Sequence, residues 1–348
     1  MLIFWIIAGI LGSAALIYLL VDRALSAPRY SGPITDHFDG KRFHNLHPPE
    51  RKGFLDFVRW QFTSKRAEWN NWTHSEPGAP PPGRVNARDL RVTFINHATV
   101  LIQVAGLNIL TDPIWSDRAS PVSWAGPKRH RAPGLRFNDL PPIDVVLLGH
   151  NHYDHFDRET LIRLKNEHQP RFVSALGNGA LLQMNEIGAV TELDWWDATH
   201  LSNELSVTCV PAKHFSGRGL SDFDATLWCG YVIETPAGNI YFAGDTAMGD
   251  HFKAIKDRFR AFRLVLLPIG AYLPRWFMHP VHLSPNDAVE VHHLLEPAVS
   301  LAIHFGTFAL GDDGEFEPVA TLREALNTRE QGGSQFWVLE HGEGRDVP

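Results

Sequence analysis

Three histidines and one aspartate lie within six residues, from His150 to His155, shortly after the apolar run Val145–Leu148. In an extended backbone alternate side chains share a face, so His150 and His152 can bind the same ion. Asp154 and His155 follow where the chain turns and can reach a second ion. Imidazole and carboxylate are zinc ligands, and manganese and iron accept the same donors. The stretch has no cysteine, which a structural zinc site would be expected to show, so it predicts a site for two reactive metal ions.

Two metals need further ligands, and three later segments offer one just past a short apolar strand. The strands predicted at residues 206–211, 240–243 and 299–303 are followed by His214, Asp245 and His304. Because each donor stands at the C-terminal end of its strand, all would converge on one edge of the structure. A single histidine among the 19 in this chain is more often a surface or core residue. Seven donors in this order indicate a metal site instead.

Strands and helices are predicted to alternate along the chain, which gives sheets covered by helices. Further strands are predicted at residues 91–95, 100–104, 107–110, 171–175 and 264–268, with a strand-rich section over residues 206–242. Helices are predicted at residues 158–168, after residues 177–179, and at residues 250–260 and 285–294.

The seven donors resemble the HxHxDH motif and the later His, Asp and His of the metallo-β-lactamase superfamily. From about residue 43 to about residue 322 the chain is also similar to the N-acylphosphatidylethanolamine-hydrolysing phospholipase D family, as a bacterial-type form with an N-terminal membrane helix. More specific than the metal motif are these strings: Thr111-Asp112-Pro113-Ile114, Arg118-Ala119-Ser120-Pro121, Gly126-Pro127-Lys128-Arg129, Leu193-Asp194-Trp195-Trp196, Gly270-Ala271-Tyr272 and Pro274-Arg275-Trp276-Phe277-Met278.

The resemblance implies an α/β fold, the four-layer αβ/βα sandwich of the superfamily, with two zinc ions or other divalent metals per chain. It assigns the ligands in three sets: His150, His152 and His214 for the first metal, Asp154, His155 and His304 for the second, and Asp245 between the two. It also implies hydrolysis of N-acylphosphatidylethanolamine to an N-acylethanolamine and phosphatidic acid, by attack of a metal-bridging hydroxide on phosphorus. We assign catalytic roles to Asp154 and His282.

Two polar residues near the motif are expected to support the ligands. His97 and Asp112 stand at predicted strand ends, where they can orient ligands or bound water. A turn histidine and a capping aspartate explain the same two residues almost as well. Residues 115–133, rich in Pro, Gly, Arg and Trp, predict a long irregular loop that forms one wall of the site.

The stretch 271–284 carries the prediction of substrate binding. It places bulky side chains on a loop before the last ligand, where they can form a wall for acyl chains: Tyr272, Trp276, Phe277 and Met278. Core packing is the alternative for some of them. By the resemblance, His282 contacts the substrate phosphate and can protonate the leaving alkoxide. The family's preceding glutamine is Val281 here, which leaves the head-group preference open.

The composition is that of a globular protein, with 348 residues, 44% hydrophobic and 20% charged, enough for one large core or two smaller ones. A formal net charge of −7 and the lack of a long basic run argue against nucleic acid as a substrate. Cys209 and Cys229 lie in predicted strands, and buried thiols explain them as well as a disulfide does.

Residues 2–21 carry no charge and are almost wholly apolar, which matches the roughly twenty residues that cross a bilayer as a helix. We expect an uncleaved membrane anchor over residues 1–22. A signal peptide is the alternative, because residues 24–27 offer small side chains for cleavage, but the apolar run is long and no Lys or Arg precedes it. Basic residues follow the run, so the positive-inside rule places the catalytic domain in the cytoplasm: Arg23, Arg29, Lys41 and Arg42.

A leader over residues 23–89 is expected to connect this anchor to a hydrolase domain over residues 90–348. Within it, residues 51–72 combine aromatic and aliphatic side chains with basic ones, which predicts an amphipathic helix. That helix can lie on an anionic membrane surface or pack on the main domain. A stiff Pro-rich linker is predicted at residues 76–83.

Membrane phospholipid is the expected substrate, with the lipid bilayer and, from the family, a second copy of the chain as partners. Two other functions stay open. One is a superfamily lactonase or amidase with a small soluble substrate, because the same metal pair can activate water against a carbonyl carbon. The other is a membrane-tethered binding module without activity.

Overall fold

The computed structural model describes residues 1–47, 52–328 and 335–348, except the side chains of residues 2–4, 6–11, 14 and 15. Its first sheet has seven strands, in the spatial order β14 (Gly344–Asp346), β1 (Leu90–Asn96), β2 (Thr99–Val104), β3 (Leu107–Thr111), β4 (Val145–Leu148), β5 (Arg171–Ala175) and β6 (Val190–Leu193). From β14 to β3 neighbouring strands are antiparallel, and from β3 to β6 they are parallel.

The second sheet is arranged in the same way. Its seven strands follow the spatial order β13 (Gln335–Trp337), β12 (Val299–Ile303), β11 (Phe262–Pro268), β10 (Asn239–Phe242), β9 (Gly230–Glu234), β8 (Ser206–Val210) and β7 (Ala198–His200). Strands from β13 to β10 are parallel, and strands from β10 to β7 are antiparallel.

The helices vary in length from four to 24 residues: α1 (Leu2–Leu25), α2 (Phe54–Thr63), α3 (Arg158–His168), α4 (Asn178–Met184), α5 (His251–Phe259), α6 (Arg275–Met278), α7 (Pro285–Leu295) and α8 (Glu317–Asn327). The start of α7 shows why a helix forms there. Ser284 Oγ accepts a hydrogen bond from the Asp287 N–H, the Asp287 carboxylate accepts one from the Ser284 N–H, and Pro285 occupies the first helical position.

Strand β4 shows how the layers are built from the sequence. Val145 and Val146 both are buried, but they belong to different cores because successive strand side chains point to opposite faces. Val145 and Leu147 pack between the two sheets, whereas Val146 and Leu148 pack against α3 and α4. Helices α5, α7 and α8 pack on the second sheet through their own buried faces. The result is a sandwich of two mixed sheets with helices outside, which confirms the predicted α/β architecture.

The predicted amphipathic helix over residues 51–72 is wrong in its extent, because helix α2 covers only Phe54–Thr63; Arg51 lies outside the described residues. The side chain of Asp312 accounts for the early end. Its carboxylate accepts hydrogen bonds from Trp60 Nε1, Ser64 Oγ and the Lys65 N–H, at 2.9, 2.6 and 3.2 Å. These bonds hold Ser64 in an extended conformation and draw the chain away from the helix axis.

The leader is part of the sandwich core as well as a connection to it. Phe38 and Phe43 pair with each other in a β-bridge and are both at most 1% exposed in the main core. Half of the residues in the expected anchor, residues 1–22, have side chains that the structure does not describe. Among the residues that the structure does describe, no helix is long and apolar enough to cross a membrane. The anchor therefore stays a prediction.

Candidate metal centre

The segment after β4 turns sharply between its second and third histidines. The N–H groups of His155 and Phe156 both donate to the carbonyl of His152, at 3.1 and 2.8 Å. This turn divides the donors of the segment into two groups, one before it and one after it. Strands from the second sheet then bring the remaining donors to each group.

The first cluster consists of His150, His152 and His214. His152 Nδ1 lies 2.8 Å from His150 Nε2 and 3.3 Å from His214 Nε2, so three imidazole nitrogens meet at one point. His214 is fixed from behind, because its Nδ1 donates to the backbone carbonyl of Val281 at 2.8 Å. That bond leaves Nε2 as the nitrogen that can bind a metal.

The second cluster consists of Asp154, His155 and His304. Asp154 Oδ2 lies 3.2 Å from His155 Nε2 and 3.5 Å from His304 Nε2. His97 Nε2 also approaches this carboxylate, at 2.9 Å. Asp112 holds His155 from the other side, since its Oδ2 accepts from His155 Nδ1 at 2.7 Å and its Oδ1 accepts from the Gly149 N–H. The structure thus places His97 and Asp112 directly against the donors.

Asp245 lies between the two clusters. Its Oδ2 is 3.2 Å from both His155 Nε2 and His304 Nε2, and 3.7 Å from His214 Nε2. All seven donors that the sequence indicated are therefore brought to one place, in the two groups that the resemblance implied.

The donor set fits metal ions because several buried atoms lack any other partner. Among the described residues, Asp245 Oδ1, His155 Nε2 and His304 Nε2 are buried and make no hydrogen bond. The two imidazole nitrogens lie close to a carboxylate without bonding to it, which a cation between them would satisfy. Nitrogen and carboxylate oxygen together are the donors that zinc and similar divalent ions take.

The protonation of the first cluster suits metal binding. Burial lowers the pKa of His150 well below its ordinary value and the pKa of His152 to about 3. Burial also lowers the pKa of His214. All three rings are therefore neutral at pH 7, and a metal ion meets no competing proton on them.

In the second cluster the carboxylates reverse this effect. Burial again acts to lower the pKa of each histidine, but Asp245 and Asp154 outweigh it, so that the pKa of His155 rises well above its ordinary value and that of His304 rises to about 9. Burial likewise acts to raise the pKa of Asp154 and Asp245, but the adjacent histidines hold it well below the usual range. This cluster is an anionic pocket that attracts a proton or a metal cation.

A cavity of about 530 Å³ reaches both clusters. Its inner end is polar and is lined by His152, Asp154, His214, Asp245 and His282. The rest of its wall is mostly apolar and comes from α2, α6 and the loops around residues 215 and 223, including Phe54, Phe57, Trp60, Phe215, Phe277 and Met278.

Comparison with known proteins supplies the family. Residues 107–305 match the beta-lactamase superfamily domain. The chain belongs to the metallo-β-lactamase superfamily. It is 39% identical over 266 residues to N-acyl-phosphatidylethanolamine-hydrolyzing phospholipase D 1 of Caenorhabditis elegans. This match covers 73% of this chain and 75% of that protein. It is 34% identical over 336 residues to an uncharacterized protein of Mycobacterium tuberculosis, 92% of this chain and 87% of the other. Together these matches make it a metal-dependent hydrolase with phospholipase D homologues.

Solved structures agree with this metallo-β-lactamase fold. An isothiocyanate hydrolase from Delia radicum gut bacteria superposes with a TM-score of 0.56 at 22% identity, over 73% of this chain and 98% of that one. At this identity the match speaks for the fold alone.

The structure brings only some of the expected substrate residues to the cavity of this hydrolase. Phe277, Met278 and His282 line it. Tyr272 is buried instead, with its hydroxyl 3.2 Å from Thr321 Oγ1, and Trp276 is 37% exposed at the surface. His282 Nδ1 lies 4.0 Å from Asp245 Oδ2, and burial lowers the pKa of His282 well below its ordinary value, so its ring is neutral before substrate binds.

Sequence reasoning missed Asn45, a leader residue that braces the first metal cluster. Its Nδ2 donates to the carbonyl of His214 at 2.9 Å, and its Oδ1 accepts from the His214 N–H and from Trp228 Nε1. The amide thus satisfies both backbone groups of a metal ligand that lies 169 residues further along the chain. No local pattern marks Asn45, because the contact exists only after the leader has folded onto the sandwich.

Backbone strain is concentrated at the same site. His97, Asp112 and His304 all have positive φ angles, 49°, 32° and 61°, which non-glycine residues rarely adopt. Two hydrogen bonds hold this geometry: the His304 N–H donates to the His97 carbonyl at 2.7 Å, and the His97 N–H donates to Thr307 Oγ1 at 3.1 Å. Strain of this kind persists where the surrounding structure fixes a functional geometry.

Proposed function

We propose that this metallo-β-lactamase family member is a phospholipase D-type phosphodiesterase that hydrolyses N-acylphosphatidylethanolamine in a membrane. The observation that carries the proposal is the cavity, whose apolar wall ends at two clusters of metal donors. A wall of that kind suits acyl chains, and the polar end suits the phosphodiester. The phospholipase D homologue of Caenorhabditis elegans, of which 75% is matched, supports the same substrate class.

His150, His152 and His214 would hold one zinc-like ion, Asp154, His155 and His304 a second, and Asp245 would bridge them. When bound, the pair supplies an activated water and offsets negative charge at the phosphoryl group. In the overall reaction the oxygen of water joins phosphorus, and the bond from phosphorus to the ethanolamine oxygen breaks. The leaving oxygen takes up a proton, and the products are an N-acylethanolamine and phosphatidic acid.

Residues of this chain then have separate tasks. Asp112 and Asn45 hold His155 and His214 in place, which keeps the ligand geometry fixed during turnover. His282, at the polar end of the cavity, contacts the phosphodiester. The anionic substrate raises the pKa of this neutral ring, so that it can carry the proton that the leaving alkoxide needs.

We further propose that the cavity opens toward the bilayer. Helix α2 forms part of its wall and presents Phe54, Leu55 and Phe62 to the outside, each at least 78% exposed. Basic side chains on and near the helix, such as Arg59 and Arg66, can meet anionic lipid at the same surface. With α1 as an anchor and basic residues after it, the catalytic domain lies on the cytoplasmic face. The homodimer as the active form is proposed separately, from the family resemblance.

Product analysis tests the proposed substrate. Purified full-length protein is assayed against N-acylphosphatidylethanolamine, other phospholipids and a panel of lactones. We expect phosphatidic acid and N-acylethanolamine from the first of these. Free fatty acid or an opened lactone as the sole product would instead assign the protein to the lactonase or amidase alternative.

Membrane attachment has its own test. Full-length protein is expected to stay with membranes after a carbonate wash, whereas a chain that begins near Ser31 becomes largely soluble. Release of the full-length chain by the wash, or a mature N-terminus near Ala27, would contradict the anchor.

A further inference from the structure

A second cavity, of about 750 Å³, lies on the other side of the metal-binding segment. His152 and Asp154 line the first cavity, whereas Tyr153 between them lines the second. Successive side chains of this turn therefore face two different chambers, which have one wall in common. None of the seven metal donors lines the second cavity, so it is not part of the site described above.

Arginines from four separate parts of the chain line this cavity: Arg23 at the end of α1, Arg118 in the loop after β3, Arg158 at the start of α3, and Arg218 in the loop after β8. None of the four forms an ion pair with a carboxylate among the residues that the structure describes. Guanidinium groups are the preferred partners of phosphate, which they bind through two parallel hydrogen bonds.

Three carboxylates in the wall, those of Asp117, Asp157 and Glu159, offset all but one of the four positive charges. Asp157 is buried and already accepts four hydrogen bonds, from the Trp115 and Ser116 N–H groups and from the hydroxyls of Ser116 and Thr160. Asp117 and Glu159 are exposed to solvent, as Arg158 is, so screening weakens these three charges alike. Arg118 donates through Nε and Nη1 to the carbonyls of Ser123 and Gly126, and Arg158 donates through Nε to Asn185 Oδ1. Within the described part of the chain, Arg118 Nη2 and both Nη groups of Arg158 make no hydrogen bond, and these are the donors left for an anion.

The second cavity lies beside the last turn of α1, and this position indicates a membrane lipid as the source of the anion. The last turn of α1 forms one side of the cavity, through Arg23, Ala24 and Leu25. Asp22 fixes this turn to the domain, because its carboxylate accepts from the N–H groups of Leu220 and Ser221 and from Ser221 Oγ. With α1 as the membrane anchor, the cavity lies at the level of the lipid head groups. Apolar side chains such as Phe156, Leu181 and Met184 extend the wall beyond the arginines.

We propose that the second cavity binds a phosphate-bearing anion, presented to it as the head group of an acidic phospholipid. Arg118 and Arg158 contact the phosphate, and the apolar part of the wall contacts the adjoining glycerol and acyl groups. The proposed membrane anchoring is needed only for the lipid source of the anion.

Calorimetric titration of the metal-loaded full-length protein in zwitterionic micelles tests the proposal. The ligands are inorganic phosphate, short-chain phosphatidic acid and short-chain phosphatidylcholine. We expect saturable binding of phosphatidic acid that weakens at least tenfold in the Arg118→Gln/Arg158→Gln double variant. The matched control is Arg136→Gln/Arg323→Gln, which removes the same charge at two exposed positions outside both cavities.

The two ligand sources are told apart within the experiment. Inorganic phosphate that binds the same site indicates that the anion alone is sufficient, and binding of phosphatidic acid only indicates a lipid head-group site. Unchanged binding in the double variant, an equal loss in the control pair, or loss of the binding phase when the metals are chelated would overturn the proposal. Because the readout is binding, absence of phospholipase activity would reject the proposed substrate and leave this result unaffected.

Discussion

The two metal clusters lie side by side, yet they are built by different physical means. The first cluster contains only imidazoles, which burial keeps neutral. The second contains a carboxylate, and together with Asp245 it raises the pKa of its own histidines. The imidazoles of the first cluster are thus unprotonated at ordinary pH and can bind a metal directly. The histidines of the second cluster must lose a proton when the metal binds. Each cluster also has its own supporting residue, Asn45 for the first and Asp112 for the second.

Loss of Asp245 removes what the two clusters share, and we expect it to have the largest effect. Asp245→Ala should bring turnover to background, a larger loss than the roughly 10- to 100-fold that removal of a ligand-orienting partner costs. His152→Ala should do the same through the first cluster alone. Elemental analysis and far-UV circular dichroism check metal content and folding, with Asp257→Ala on the exposed face of α5 as the control. Activity that persists without bound metal would contradict the account.

Replacement of His282 separates proton donation from metal binding. His282→Ala should slow hydrolysis of the lipid by about 100-fold, the lower range for general acid catalysis, because the N-acylethanolamine alkoxide is a poor leaving group. It should scarcely affect an activated aryl phosphodiester, which needs no proton donor. His279→Ala, an exposed histidine three residues earlier, is the control. Equal losses on both substrates would limit His282 to a binding role.

Asn45 and Asp112 allow the two clusters to be weakened one at a time. Asp112→Asn should lower metal affinity by about 10- to 100-fold at the second cluster, because His155 loses its partner. Asn45→Ala should have a similar effect at the first cluster, where His214 is left unbraced. Cobalt substitution gives each variant a spectrum that reports the altered coordination. Each variant serves as the control for the other, and an identical change in both spectra would show that the clusters do not act separately.

Acidification should distinguish the clusters without any mutation. The folded-state pKa of His304 is raised to about 9, so in the metal-free protein this ring is protonated below that pH. Metal affinity of the second cluster should therefore rise with pH up to about 9, by roughly tenfold per pH unit for each proton displaced. The pKa of His152 is about 3, so the first cluster should keep its metal between pH 8 and 6. Metal content of dialysed samples across this range checks the order of loss.

The sequence was informative wherever a donor follows an apolar strand. Helix 158–168 and strands 171–175 and 299–303 are confirmed at their predicted bounds, because each has a clear hydrophobic pattern and a distinct end. The seven donors could be found for the same reason. Their pattern depends on strand ends, which local sequence reveals.

Contacts between distant segments could not be predicted in this way. Helix α2 ends early because the carboxylate of Asp312, about 250 residues away, accepts hydrogen bonds from Trp60, Ser64 and Lys65. Asn45 reaches His214 only through the folded leader. The loop 115–133 is irregular as predicted, but its residues line the second cavity and not the metal cavity. In each case the deciding partner lies far away in sequence, and no local pattern contains it.

Hydrolysis in water labelled with oxygen-18 shows which atom of the substrate the water attacks. If the water attacks phosphorus at the two-metal centre, we expect the label in the phosphate of phosphatidic acid and none in the N-acylethanolamine. Label in the hydroxyl of the N-acylethanolamine would place the attack on carbon, and label in a released fatty acid would place it on a carbonyl group. Either result would contradict attack on phosphorus at the two-metal centre.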